Sequence, residues 1–244
     1  MSVVAVIAGA GSGTRLGSQG PKALVQLAGE PLLVHAVRSM FASGVVDRCV
    51  VTAPEDHLVQ FEAALAAAGL HATVVAGGHT RQASVAAGLA AAGSADYVLI
   101  HDAARALTPV SQIQRVVQAL EAGHPAVVPA LAVVDTIKSV GHTNPDGTEP
   151  IDQTLDRNRL RAMQTPQGFA MDVIVAAHAQ FATTSDDEST SAPDDAALVE
   201  SSGHPVVLVR GSERALKITR PLDLRIAELL ATDSADMPRA EVES

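Results

Sequence analysis

The stretch AVIAGAGSGTRLGSQGPKAL, Ala5 to Leu24, holds five glycines and two cations, Arg15 and Lys22, directly after an apolar run that begins at Val3. A glycine-rich turn after a first strand lets bare backbone approach a ligand and lets its N–H groups line a concavity that favours anions. Two well-known versions of such a loop fail on spacing. The dinucleotide fingerprint G-x-G-x-x-G finds Gly9 and Gly11 in place but Thr14 at the third position, with Gly13 one residue early. The pattern G-x-x-x-x-G-K-[ST] is absent. What remains is either a long loop whose two cations neutralise a polyphosphate and the charge that builds at a reacting phosphorus, or a surface turn with two solvated charges. The chain has only three lysines, Lys22, Lys138 and Lys217, against 14 arginines, so each lysine it keeps draws notice.

Outward from the loop, apolar runs at 3–8, 48–53, 72–76, 97–100, 126–130 and 205–209 are predicted strands. LLVHAVRSMFASG, LVQFEAALAAAG, RQASVAAGLAAAG and PVSQIQRVVQALEAG are predicted helices between them. This alternation specifies an α/β protein with a Rossmann-like, mostly parallel sheet flanked by helices. Gly44, Gly69, Gly93 and Gly123 fall at helix C′ positions. Thr108 reads as an N-cap with Pro109 at N1, and Pro221 opens the last helix. Two stretches break the rhythm. Residues 133–158 carry short alternating segments and a TNPDG turn, which predicts a β-hairpin arm projecting from the main sheet. Residues 183–192 are polar and acidic, a surface loop. One domain is expected over 1–232, with a tail at 233–244 that lacks apolar periodicity.

With 244 residues, 47% of them hydrophobic, the chain can build one substantial core. Its net charge of −10 and the lack of a basic block argue against a nucleic-acid binder working by phosphate neutralisation. Cys49 is the single cysteine and sits in the apolar run RCVVTA, so it reads as a buried structural thiol. No apolar run approaches the ~18 residues that span a bilayer. No membrane partner and a cytoplasmic location are therefore expected.

The segment AGAGSGTR followed by Pro21-Lys22 resembles the signature loop of nucleotidyltransferases that activate sugar and polyol phosphates. More narrowly, the chain resembles the 2-C-methyl-D-erythritol 4-phosphate cytidylyltransferase family of the non-mevalonate isoprenoid pathway. The likeness continues through GGHTRQASV (77–85), LIHDAARA (99–106), VVDTIK (133–138), DRNRLRAMQTPQGF (156–169), DDAALVE (194–200) and LKITRPLDL (216–224), in order over nearly the whole chain.

The resemblance implies attack by a phosphate monoester oxygen of the acceptor on the α-phosphorus of CTP, with loss of pyrophosphate. Both reactants are anionic, so neutralisation and in-line alignment dominate over proton transfer. It assigns Arg15 and Lys22 to the triphosphate, and Arg157 and Lys217 to the incoming methylerythritol phosphate. Cytosine recognition falls to Ala10, Gly11, Gly78 and Ser84, Gly13 also binds CTP, and Arg81 is structural or near the nucleotide. Asp102, Arg105, Thr136 and Thr165 lie at the substrate, and Asp102 is also the candidate ligand of a Mg²⁺ ion carried mainly by the CTP phosphates. His101 reads as structural, since the nucleophile is already ionised. The arm exchanges with a second subunit and carries Thr136 and Arg157 into its site, so a homodimer is expected. Three departures stand out. Ala8-Gly9-Ala10-Gly11 replaces Pro-Ala-Ala-Gly, which adds flexibility to the loop; Ala106 replaces a proline; and Pro193 replaces a threonine expected to touch the acceptor, with Thr190 and Ser191 nearby. Ribitol 5-phosphate as acceptor, a non-catalytic nucleotide-binding protein and, more remotely, a dehydrogenase are the alternatives.

Overall fold

The computed structural model describes residues 1–11, 20–184 and 190–236. In chain order these form β1 (Val3–Ala8), β2 (Gln26–Leu27), β3 (Glu30–Pro31), α1 (Leu32–Ala42), β4 (Arg48–Ala53), α2 (Leu58–Ala67), β5 (Thr73–Ala76), α3 (Arg81–Ala92) and β6 (Tyr97–Asp102). There follow α4 (Val110–Glu121), β7 (Ala126–Ala132), β8 (Lys138–Val140), β9 (Ile151–Thr154), β10 (Arg161–Met163), β11 (Gln167–Ala170), α5 (Met171–Gln180), α6 (Asp195–Ser201), β12 (Val207–Arg210) and α7 (Pro221–Asp236).

β1 is apolar on both faces, and such a strand belongs inside a sheet covered from both sides. It pairs in parallel with β4 and β6. Its residues alternate between two cores. Val3, Ala5 and Ile7 pack with side chains of α1, α2 and α4, whereas Val4 and Val6 pack with α3, α5 and α6. A third cluster joins Leu27, Leu32, Ala106, Ile218 and Ala227, and so seats α7.

Across the sheet the strands run β5, β4, β1, β6, β11, β7, with β12 parallel to β7. β10 and β11 both run antiparallel to β7, and they lie along the same edge of it. Carbonyl direction shows this: Pro129 O accepts Gln164 N and Pro125 O accepts Ala170 N, while Ala130 O points the other way to Gly211 N of the β12 side. β10 and β11 are thus one antiparallel path interrupted at 164–166, where the Thr165-Pro166 peptide is cis.

The expected parallel frame is present, and all six anticipated strands and four anticipated helices appear with small shifts in their ends. Gly44, Gly69, Gly93 and Gly123 all have positive φ. One cap differs. Pro109 itself, with extended dihedrals, is the N-cap of α4, and Thr108 instead donates its hydroxyl to Arg105 O in the preceding turn. β2, β3, β10, β11, α5 and α6 add to the expected set. QGFA has little β propensity, and it becomes a strand because the gap between β6 and β7 supplies partners on both sides. The arm forms as β8 paired with β9, a two-stranded sheet of its own. α7 continues to Asp236, so the expected boundary at 232 falls within it, and 237–244 lie outside the described residues.

α3 lies so close on β1 that a Cβ at Gly88 would collide with Val6 Cγ1 and come 3.1 Å from Thr52 Cγ2. Gly88→Ala should therefore destabilise the protein by about 1–3 kcal/mol through overpacking, although the same change in an exposed helix gains up to ~1 kcal/mol. Urea unfolding measures the sign directly.

Candidate active site

In an open α/β sheet, ligands gather beyond the carboxyl ends of the strands where the connections switch direction. Here β4 and β5 lie on one side of β1 and β6 on the other, so the switch falls between the ends of β1 and β6. Ala8 is paired with Asp102 at that point, and Ala103 N–H donates to Ala8 O at 3.1 Å. Ala10 and Gly11 leave β1 on one side of the crevice, and His101 and Asp102 end β6 on the other.

The crevice is shaped by places where no side chain fits. A Cβ on Gly77 would come 2.7 Å from Ala10 Cβ, and one on Gly78 would collide with Ala83. The Ser84 hydroxyl accepts Gly78 N–H at 3.1 Å and lies 2.8 Å from Thr80 O. Ser84 is buried, so what it contributes is the backbone position of Gly78. Thr80 caps α3 by accepting Ala83 N–H at 3.0 Å, which aims Arg81 into the crevice at the first helical position. Lys22 N–H donates to Gly11 O at 3.2 Å. Arg15 and Gly13 lie outside the described residues. The extra glycine, Gly9, adds no looseness: its N–H is bonded to Thr52 O, and a Cβ there would come 2.8 Å from that oxygen and 2.9 Å from Phe61 Cε1.

Asp102 is the hub. Its Oδ1 accepts Arg81 Nε–H at 3.1 Å and its Oδ2 faces Lys217 Nζ at 2.8 Å. Arg81 also reaches Asp195 Oδ2 with Nη1 at 2.7 Å, and Asp195 Oδ1 lies 3.0 Å from His178 Nε2. Burial works against ionisation of Asp102, yet the charges of Arg81 and Lys217 outweigh it and hold the carboxyl well below the usual range. Burial likewise opposes the charge on Asp195, and Arg81 and His178 overcome it. The Arg81 guanidinium loses water on burial, but its two carboxylates raise its pKa further.

Lys217 is held over Asp102 by its neighbours. Ile218 N–H donates to Ala104 O at 2.9 Å, and the Arg105 guanidinium donates to Ala215 O at 2.7 Å and to Met163 O at 3.1 Å. Arg105 therefore ties the lysine segment to the end of β10. Gln164 adds a second tie, exchanging hydrogen bonds with Ser212 O and Ser212 N at 2.8 and 3.0 Å. Thr165 accepts Asp102 N–H at 3.1 Å and pairs with His101 Nδ1 at 2.9 Å.

The structure thus brings Asp102, Thr165, Arg105 and Lys217 together beside the Ala10–Gly11 and Gly78–Ser84 wall. Thr136 and Arg157 sit elsewhere, exposed on the chain flanking the arm, where Arg157 donates to Val134 O at 2.6 Å. Pro193 is exposed just before Asp194, which caps α6 through Ala197 N–H and accepts Gln167 Nε2. Asp195 and His178 were missed from sequence. Asp195 was within reach, because it lies in a quoted motif, but only the fold reveals that it faces Arg81.

A family model described as 2-C-methyl-D-erythritol 4-phosphate cytidylyltransferase matches residues 3–233. A protein of that name from Nocardia farcinica is 50% identical over 229 residues, 94% of each chain. One from Streptomyces avermitilis is 49% identical over 230 residues, 92% of this chain and 89% of the relative. The crystal structure of the like-named Thermus thermophilus protein superposes with a TM-score of 0.76 at 35% identity, covering 95% of this chain and all of that one.

His101 is fully buried, and burial pushes its imidazole from 6.5 down to about 4. Between those values the unfolded chain alone takes up a proton. Stability conferred by neutral His101 is therefore full above pH 6.5 and is lost as pH falls to about 4. Comparing His101→Gln with the parent by urea unfolding, the parent should lose of order 1–3 kcal/mol more than the variant between pH 7 and 4.5.

Proposed function

The chain belongs to the 2-C-methyl-D-erythritol 4-phosphate cytidylyltransferase family, and from that premise we infer that it is a nucleotidyltransferase of isoprenoid biosynthesis. It joins CTP to 2-C-methyl-D-erythritol 4-phosphate, giving 4-diphosphocytidyl-2-C-methyl-D-erythritol and pyrophosphate. The observation that carries this reading is the cluster of Lys217, Asp102 and Arg81 beside a wall of close-packed backbone at the β1–β6 switch point. A crevice of that make suits a ligand read by backbone at one end and by charge at the other.

In this reading Ala10, Gly11, Gly78 and the Ser84-anchored backbone recognise cytosine, Gly13 also binds CTP, and Arg15 and Lys22 neutralise the triphosphate. Lys217 and Arg157 hold the acceptor phosphate in line with the α-phosphorus, and Asp102, Thr136 and Thr165 face the acceptor hydroxyls. Arg105 serves the same end by holding the Lys217 segment. A phosphate monoester is largely ionised at neutral pH, its second pKa being near 6. No general base is needed, which agrees with a buried His101 kept neutral by desolvation.

Mg²⁺ fits the residues present in a limited way. Asp102 is a carboxylate held ionised at the crevice, and among the described residues no group of three metal-ligating side chains exists. One carboxylate plus phosphate oxygens is the donor set on which Mg²⁺ ordinarily relies, so Asp102 would hold it with CTP. Its contribution when bound is to neutralise phosphate charge.

The arm supports the expected homodimer. A lone two-stranded hairpin is marginal in water, and this arm and its base expose Val134, Val140, Ile151 and Met163. A second copy would cover them and bring Thr136 and Arg157 into its crevice. Residues 1–232, together with the rest of α7, act in this reading as one nucleotidyltransferase domain, in the cytoplasm, without nucleic-acid or membrane partners. No described helix is long and apolar enough to cross a membrane.

The test is pyrophosphate release from CTP and Mg²⁺ with 2-C-methyl-D-erythritol 4-phosphate and ribitol 5-phosphate in parallel. Release with the first alone is expected; release with ribitol phosphate alone would overturn the acceptor, and silence with both would overturn the enzyme assignment. Lys217→Ala should lower turnover about 10²- to 10³-fold while CTP affinity, measured by titration calorimetry, stays within about threefold.

A further inference from the structure

Arg81 is placed between two carboxylates that do not touch each other in sequence or in element. Asp102 ends β6, and Asp195 is the first residue of α6, only 1% exposed. An arginine facing a single carboxylate favours the two-pronged contact that engages both oxygens. Here the guanidinium is shared: Nη1, on its Cδ side, goes to Asp195 Oδ2, and Nε–H, which points the other way, goes to Asp102 Oδ1, while Asp102 Oδ2 faces Lys217. Asp195 cannot easily yield. Its other oxygen contacts the buried His178, and its helix is fastened by Asp194, which caps Ala197 N–H and accepts Gln167 Nε2, while Gln167 Oε1 takes Ala196 N–H.

We propose that Asp195 is a positioning residue for the transfer reaction: by anchoring Arg81 through Nη1, it fixes the Nε–H contact on one oxygen of Asp102, which turns the other to Lys217 and so fixes where the lysine ammonium stands. His178 holds Asp195 in turn. Neither side chain touches the reactants; each acts through Arg81. The inference rests on the proposed role of Lys217, and it adds that the acid in DDAALVE governs that role from the far side of an arginine. Without the charge on Asp195, Arg81 loses its anchor, Asp102 loses the contact that orients it, and Lys217 shifts with it.

Asp195→Asn keeps the size of the side chain and removes the charge. Kinetics on the parent, Asp195→Asn, Lys217→Ala and the double variant separate positioning from general damage. Asp195→Asn should lower kcat about 10- to 100-fold with KM for CTP within about twofold, and should cost less than about twofold further in the Lys217→Ala background. Losses that multiply in the double variant, or an unchanged kcat in Asp195→Asn, would overturn the proposal. Should Asp195→Asn not fold, Arg81→Lys asks the same question, since an ammonium lacks the fork that spans two carboxylates, and the same non-additivity with Lys217→Ala is expected.

A second readout needs no activity. With only Lys22, Lys138 and Lys217 in the chain, reductive ¹³C-methylation gives three lysine side-chain NMR signals. Asp195→Asn should move the Lys217 signal and leave the other two in place. If that signal moves in a protein that releases no pyrophosphate, the proposed function has failed and the positioning link stands. An unmoved Lys217 signal in an active parent and its folded variant would refute the link alone.

Discussion

A carboxylate at the end of β6 has to remain charged while nearly withdrawn from water. Asp102 meets that constraint with two cations, one on each oxygen, and much of the molecule's remaining architecture follows from delivering them. Removing one partner of such a group leaves an uncompensated buried charge, which costs several kcal/mol. Arg81 arrives on the first turn of α3, set by the Thr80 cap. Lys217 arrives on a segment fastened by Arg105, Gln164 and Ile218. The second acid, Asp195, balances the arginine from α6. Ion pairs thus draw together a sheet strand, two helices from the same face and a loop before α7.

The Gly77–Gly78 wall of the crevice obeys a steric rule instead. Gly9, Gly77 and Gly78 occupy sites where a Cβ would meet Thr52 O, Ala10 or Ala83. Packing of that density makes the wall rigid and presents N–H and C=O groups instead of side chains. The residues that line the wall are small for this reason, and Ser84 serves to hold Gly78. Rigidity on one side and charge on the other also suit a reaction whose barrier is alignment and electrostatic repulsion.

Much of the frame was legible before any coordinates. β1 is apolar on both faces, the helices are amphipathic or alanine-rich, and glycines stop four of them in left-handed conformation. The arm was legible from its turn and its alternation, and the crevice from the motifs beyond β1 and β6. Thr108 as a helix cap was misread because two turn signals stand side by side, and only the dihedrals of Pro109 decide between them. β10 and β11 escaped notice because their strand state comes from the neighbours β6 and β7, not from residues such as Gln167 and Gly168. Gly9 looked like slack in a loop and is a close contact.

Sequence by itself determined the α/β class and the position of the glycine loop after the first strand, because periodicity, turn chemistry and motif spacing are local along the chain, whereas the cations and Asp102 were singled out by resemblance to a family. Tertiary structure alone decided how those charges are shared. Residues 81, 102, 178, 195 and 217 are far apart in the chain, and whether Arg81 engages one carboxylate or two depends on the distance between α3, α6 and β6. That distance is set by side-chain packing between the sheet and its helices, a sum of many small contacts that no single stretch of sequence contains.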